Sequence, residues 1–371
     1  MKTKEMKGIT LVALVVTIVV LLILAGVGIN LVLGNNGIIA RAKEAQRKSA
    51  EASQNDLKGM NALTVEMNNA LGEKPKVDLS KYKIGDYVNY TPNTVKSESI
   101  VNQSESGTSE QKVAKDATLK WRILNIDEAN GTVDLVSAAP TSSTVKFYGA
   151  LGYNNGPYIM NKICEELYSN STLNVTARNI NLLDMEKHLT AEGIVARNAY
   201  PSNSSEKYGT TKTYKDYYSH YPLLYDGQKG AGVNASTIAQ LDITKGNDPY
   251  EESVKTASPL TDKTYKKADK SVLTVTKTHY WISIDNANYG DAGSVLSNSN
   301  YFWVAARGVD TSSTNVSFGL RVALKYTYES NLFYSEGGSG TSDSYGLRPV
   351  VSLSSSILSD SKDANGAWNL K

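Results

Sequence analysis

Cysteine is nearly missing. Cys164 is the only one in 371 residues, so the chain can close no internal disulfide and offers no thiolate cluster to a metal. Histidine is also scarce: His188, His220 and His279 are scattered without metal-ligand spacing, and each is expected to be a satisfied core or surface side chain. A basic excess is lacking, since 39 Lys and Arg face 37 Asp and Glu for a net charge of +2, which argues against a nucleic-acid partner. No Gly-rich phosphate loop, HExxH or GxSxG occurs, so no enzyme class has residues in its favour and no cofactor is implied. Only one long apolar run is present, which limits the chain to a single membrane crossing.

That run extends from Ile9 to Leu33 without a charge. As a helix it would rise about 37 Å, enough to span a hydrocarbon core of about 30 Å with some tilt. Signal-peptide apolar regions are shorter, about 7 to 15 residues, and here the apolar character continues past Ala25 and Gly26. Lys2, Lys4 and Lys7 precede the run against Glu5 alone, which places the short N-terminal end in the cytoplasm and everything after Leu33 outside it. An exported domain with one cysteine must then be held by its core, unless a metal helps.

After the span, Gly34-Asn35-Asn36-Gly37 breaks or bends the helix, and Asn36 can cap a new one. Leu57, Met60, Leu63, Met67 and Leu71 then recur at spacings of three and four, predicting a helical stalk over 34–74. From residue 75 onward the pattern changes to short β-like runs between turns. A strand is expected near Tyr87–Tyr90, and a hairpin over Leu119–Ile126 and Val133–Ser137 about an Asn130-Gly131 turn. The polar stretch between them is expected as an exposed loop.

Ile159, Ile163, Cys164 and Leu167 mark one face of a helix, and a second short helix is expected over Leu182–Leu189. The segments HYWISI, NYFWVAARGV, VSFGLRVAL and YGLRPVVSLS all read as strands. Aromatic-Gly-Leu-Arg occurs twice, at Phe318–Arg321 and Tyr345–Arg348, too few copies for a solenoid.

Lys7-Gly8 followed by an uncharged span that opens Ile9-Thr10-Leu11 resembles the leader of type IV prepilins. The resemblance implies cleavage by a prepilin peptidase between Gly8 and Ile9, methylation of Ile9, and packing of the helix Ile9 to Leu33 in a homo- or hetero-filament built by a pilus or secretion machinery. One position departs from the family, which usually carries a glutamate where this chain has Ala13. A lone carboxylate in a lipid-facing helix is costly unless paired, and the family pairs it with a neighbouring subunit's N-terminus. Ala13 leaves three alternatives: packing without that pair, a tip or minor position, or a membrane protein with a prepilin-like leader only.

The segments KIGDYVNY, LKWRILNID, ARNINLLDMEKHL, YFWVAARGV, FGLRVAL and YGLRPVVSL together resemble a domain of Firmicutes surface proteins that is itself similar to C-type lectins and formylglycine-generating enzymes. The resemblance implies fold and surface placement without chemistry. The expected fold class is α+β: a long N-terminal helix, transmembrane then extended, followed by a β-rich, C-type-lectin-like mixed domain. The expected organisation is a leader over 1–8, a membrane or filament-core helix over 9–33, a stalk over 34–74 and a surface domain over 75–371. The function implied is a pilin, minor pilin or pseudopilin displaying a domain for a glycan or protein ligand; the alternative is a single-pass surface adhesin that does not assemble.

Asp285, Asn286, Asn288 and Asp291 place hard oxygen donors close together, as a calcium or ligand loop would, and are equally what a polar turn uses. Arg307, Arg321 and Arg348 lie in strand-like segments and Arg178 opens a similar stretch. They are expected as buried guanidinium groups paired with Asp184 or another carboxylate rather than as ligand clamps. Trp121, Trp281 and Trp303 are expected in the core and Trp368 at the surface.

Overall fold

A computed structural model describes residues 78–102, 106, 108–201, 206–215, 220–222, 265–267 and 272–371. The chain divides into two units, Met1–Pro75 and Lys76–Lys371. The predicted leader, span and stalk, with Gly8, Ile9, Ala13 and Leu33, lie outside the described residues. What is described is a mixed α+β, strand-rich fold with few helices.

Two sheets carry the domain. The first has seven strands in the order β17-β18-β1-β4-β5-β16-β7. Its members are β1 (Tyr87–Val88), β4 (Trp121–Asp127), β5 (Thr132–Ser137), β7 (Arg178–Asn179), β16 (Pro349–Ser354), β17 (Leu358–Lys362) and β18 (Trp368–Leu370). The second has five in the order β14-β13-β12-β15-β6, namely β6 (Thr144–Tyr148), β12 (Phe302–Thr311), β13 (Val316–Ala323), β14 (Thr327–Tyr334) and β15 (Ser342–Gly346). Three two-stranded pairs flank them: β2 (Glu98–Val101) with β3 (Gln111–Ala114), β8 (Thr211–Lys215) with β11 (Val272–Thr276), and β9 (His220–Pro222) with β10 (Tyr265–Lys267). The helices are α1 (Gly149–Tyr168), α2 (Leu182–Glu186), α3 (Ala191–Ala199), α4 (Asn286–Tyr289) and α5 (Gly293–Leu296).

The central strands separate two cores by simple alternation. Ile123, Trp303, Ala305 and Val351 enter one cluster with Ile159, Ile163 and Leu167 of α1. Their chain neighbours Leu124, Val304, Ala306 and Val350 enter the other, with Met185, Tyr280 and Leu296. Successive side chains of a strand point to opposite faces, so strands covered on both sides read as unbroken apolar runs. This explains why β13 is buried at every position.

The expected hairpin forms as β4 and β5, with Gly131 at φ +61° in the turn and Asn130 N donating to Asp127 Oδ1 at 3.0 Å. Asn181 caps α2 through a reciprocal box with Asp184. Asn179, fully buried, ties the sheets together: Nδ2 donates to the Trp303 carbonyl at 2.8 Å and Oδ1 accepts from Arg348 N at 2.8 Å.

Several expectations fail. The polar stretch after Pro92 forms the β2–β3 hairpin instead of a plain loop, with Val101 and Val113 buried. HYWISI is no strand; besides an isolated bridge from Ser283 to Tyr326, it bonds the second sheet irregularly, with His279 N donating to the Val309 carbonyl at 2.9 Å and Thr327 N donating to the Ile282 carbonyl at 3.0 Å. Trp281 and Trp368 exchange roles, being 51% and 7% exposed. The C-terminal residues enter the seven-stranded sheet as β18, where Trp368 packs edge-on against Tyr82 at 4.6 Å and donates to Asp86 Oδ2 at 2.9 Å.

Candidate functional site

Trp281 stands at the mouth of a cleft of about 370 Å³. Its rim is aromatic, formed by Tyr200, Trp281, Tyr301, Tyr326 and Tyr328. Trp281 meets Tyr326 edge-on at 5.1 Å, Tyr301 meets Tyr328 at 5.6 Å, and the Tyr301 and Tyr326 hydroxyls lie 3.0 Å apart. These contacts hold the rings as a fixed wall. The residues come from four places: the end of α3, the segment after β11, the turn into β12, and the start of β14.

The floor is polar, and it is built from His279, Asp310, Glu329 and Asn331. Glu329 is only 5% exposed, and neither of its carboxylate oxygens has a hydrogen-bond partner among the described residues. Asn331 Oδ1 and His279 Nδ1 are likewise without partners. Such groups cost about 1 to 3 kcal/mol each when left unsatisfied. Burial drives the Glu329 pKa well above the carboxylate range, the Arg321 guanidinium opposes that shift, Asp310 adds to it, and Lys277 also opposes it. Burial lowers His279 to about 4. His279 is therefore neutral at pH 7, and burial favours the protonated form of Glu329.

Glycine makes room for Glu329. Gly308 of β12 lies opposite Gly319 of β13, and Arg321 lies opposite Glu329 of β14. A Cβ on Gly319 would stand 2.8 Å from Glu329 Cγ, and one on Gly308 would overlap the carboxyl itself. The Glu329 side chain thus crosses β13 and reaches β12, two residues from Asp310.

The arginines of the repeated motif do different work. Arg348 is fully buried and donates to the carbonyls of Ser137, Val295 and Leu296, at 2.7 to 3.1 Å. Arg307 donates to the carbonyls of Tyr153 and Asn154. Both are fold cement through backbone carbonyls, which for Arg348 stand where a carboxylate was expected. Arg178 does pair with Asp184, with Nη2 2.8 Å from Oδ1. Arg321 is buried and does not line the cleft: it donates to the Thr278 carbonyl, with its guanidinium 4.7 Å from the centre of the Tyr280 ring.

Of the residues proposed as a calcium or ligand loop, Asp285 caps α4 by accepting from Asn288 N at 3.0 Å. Asn288 Nδ2 donates to the Ser283 carbonyl at 2.9 Å, while Asn286 and Asp291 are exposed. Among the described residues, no group of three or more His, Cys, Asp or Glu could hold a metal ion. His188 is half-buried, with its Nε2 enclosed and unpartnered among the described residues and its pKa pulled down to about 4 by desolvation. The side chain of His220 lies outside the described residues.

Sequence reasoning missed Glu329, Asn331 and the role of Trp281. A faint signal existed in TYESNLFY, where polar residues occupy alternate positions of a strand-like run. The pairing that puts Glu329 over two glycines was not visible.

These features define a strand-rich α+β domain with an aromatic-walled cleft over a polar floor. Searches of protein-family models, curated proteins and solved structures find no match to the chain. No helix among the described residues is long and apolar enough to cross a membrane, and the stretch from Ile9 to Leu33 lies outside them.

Proposed function

We propose that the chain is a prepilin-like, membrane-anchored surface subunit whose extracellular domain binds a neutral glycan in the aromatic cleft. The observation that carries the ligand class is the half-exposed Trp281 braced by Tyr326 beside an unpartnered Asn331 Oδ1. Rigid aromatic faces suit the C–H faces of a sugar ring, and sugar hydroxyls supply the donors that Asn331 lacks. A cationic ligand fits less well, because Lys277 and Arg321 lie close beneath the floor.

The anchor part of the reading rests on Lys7-Gly8 and the uncharged run from Ile9 to Leu33. It takes prepilin peptidase and the assembly machinery as partners, with the C-terminal domain at the cell surface or on a pilus. Ala13 favours a second reading, a single-pass adhesin that does not polymerise, because it cannot form the carboxylate–amine pair between subunits.

Two experiments test this. The mature N-terminal residue is read by mass spectrometry beside a Gly8→Ala variant: methylated Ile9 in the wild type alone supports processing, whereas an intact leader in both refutes it. Binding of the full chain to a panel of neutral oligosaccharides is then compared with Trp281→Ala. At least a tenfold loss is expected, and equal binding by both proteins would remove the cleft as the site.

A further inference from the structure

We infer that Asp310 selects the glycan: its unpartnered oxygen accepts a sugar hydroxyl, and its carboxylate covers the Lys277 ammonium so that acidic sugars are turned away. The inference rests on the glycan reading of the cleft and adds which sugars enter and which residue decides it.

The two oxygens of Asp310 have different surroundings. Oδ1 is taken twice, by Lys277 Nζ at 2.8 Å and by Thr311 N at 2.8 Å. Oδ2 has no hydrogen-bond partner among the described residues, while the side chain is 31% exposed and lines the cleft. A carboxylate fixed through one oxygen presents the other as an oriented acceptor, and a hydrogen bond to an ionised oxygen is stronger than one to a neutral oxygen. Lys277, which does the fixing, is itself held. Its backbone bonds Thr210 and Gly209, and its Nζ lies 5.6 Å from the centre of the Tyr200 ring.

The pair is also a dipole with its negative end toward the ligand. The Lys277 side chain is 4% exposed and does not line the cleft, and among the described residues no lysine or arginine does. The Asp310 charge acts on the lining: it reinforces the effect of burial on Tyr200 and opposes it on His279. A ligand carboxylate therefore meets like charge with no cation in reach, whereas a hydroxyl meets an acceptor. Lys277 stays matched only while Asp310 covers it, because removing one partner of a buried pair leaves an uncompensated charge. With a neutral side chain at position 310, that ammonium becomes the place where an anionic sugar binds.

An array probed with the full chain is the test. It carries neutral oligosaccharides and the same compounds with the terminal hydroxymethyl group oxidised to a carboxylate. Wild type is expected to bind the best neutral member about tenfold more tightly than its acid, or better. Asp310→Asn, which keeps the size of the side chain, is expected to weaken neutral binding and raise the acid-to-neutral ratio by about tenfold. Adding Lys277→Gln to Asp310→Asn is expected to abolish the gain for the acid. A purely structural ion pair would weaken both ligands alike, so an unchanged ratio in an Asp310→Asn protein with wild-type tryptophan emission overturns the role of Asp310. Equal binding of a neutral member and its acid by wild type overturns the inference without any variant. Failure of wild type to bind every neutral member is a different result: it overturns the glycan reading, and this inference with it.

Discussion

Gly308 and Gly319 face each other across β12 and β13, and together they leave the side-chain-free path that Glu329 occupies from β14 to the floor of the cleft. A methyl at either position meets Glu329, and at Gly319 it also meets the Ser330 carbonyl. Gly308→Ala is therefore expected to destabilise the domain by about 2 kcal/mol, within the range for overpacking a filled core. Urea unfolding of the variant beside wild type measures it, and an unchanged midpoint would show that Glu329 moves aside freely.

Asn179 offers a second measurement. Its side chain satisfies the Trp303 carbonyl in β12 and the Arg348 amide just before β16. Asn179→Ala leaves both buried and unpaired, for an expected loss of about 3 kcal/mol. An exposed polar position such as Asn89 should change by less than about 0.5 kcal/mol on the same substitution.

Acid should weaken the fold through His279. Its pKa falls from 6.5 to about 4 because burial disfavours the cation; Asp310 opposes that shift, while Arg321 and Lys277 reinforce it, and Tyr200 packs on the ring edge-on at 5.5 Å. With the folded value depressed, the unfolded chain binds the proton first, so this stability is complete above about pH 6.5 and lost as pH falls toward 4. Glu329 acts with the opposite sign: its raised value gives stability below about pH 4.5 that is lost as pH rises. Unfolding free energies at pH 7 and pH 4.5 should therefore differ less in His279→Gln than in wild type, by up to about 3 kcal/mol. Parallel pH profiles would contradict the burial of this imidazole.

Cys164 sits fully buried in α1, and burial pushes its thiol well above the ordinary range. The thiolate is the reactive form, so a maleimide should leave the native protein unmodified and label it fully after denaturation. Rapid labelling of the native protein would place Cys164 outside the core.

Much of the scaffold was legible because it depends on local rules. The Asn130-Gly131 turn, the face of α1 marked by Ile159, Ile163 and Leu167, and the strands around Trp303, Leu320 and Val351 follow from turn chemistry and periodicity. Burial of Arg307 and Arg348 was also readable, but their partners were not. Backbone carbonyls such as those of Tyr153 and Ser137 carry no mark in a sequence that shows what they will face. The β2–β3 hairpin escaped notice because its strands hold few apolar residues, with Ser99 rather than a hydrophobe among the buried positions.

By itself, the sequence determined the uncharged run from Ile9 to Leu33, the lack of any disulfide, and an α+β pattern of strands with few helices. Those are properties of composition and of neighbours along the chain. Tertiary structure alone decided that Trp368 is buried while Trp281 is exposed, and that Lys277 pairs with Asp310 while Glu329 is buried. The reason is physical: whether an indole is covered depends on what packs over it from distant strands. A side chain's protonation likewise depends on the burial and charges that those strands bring to it.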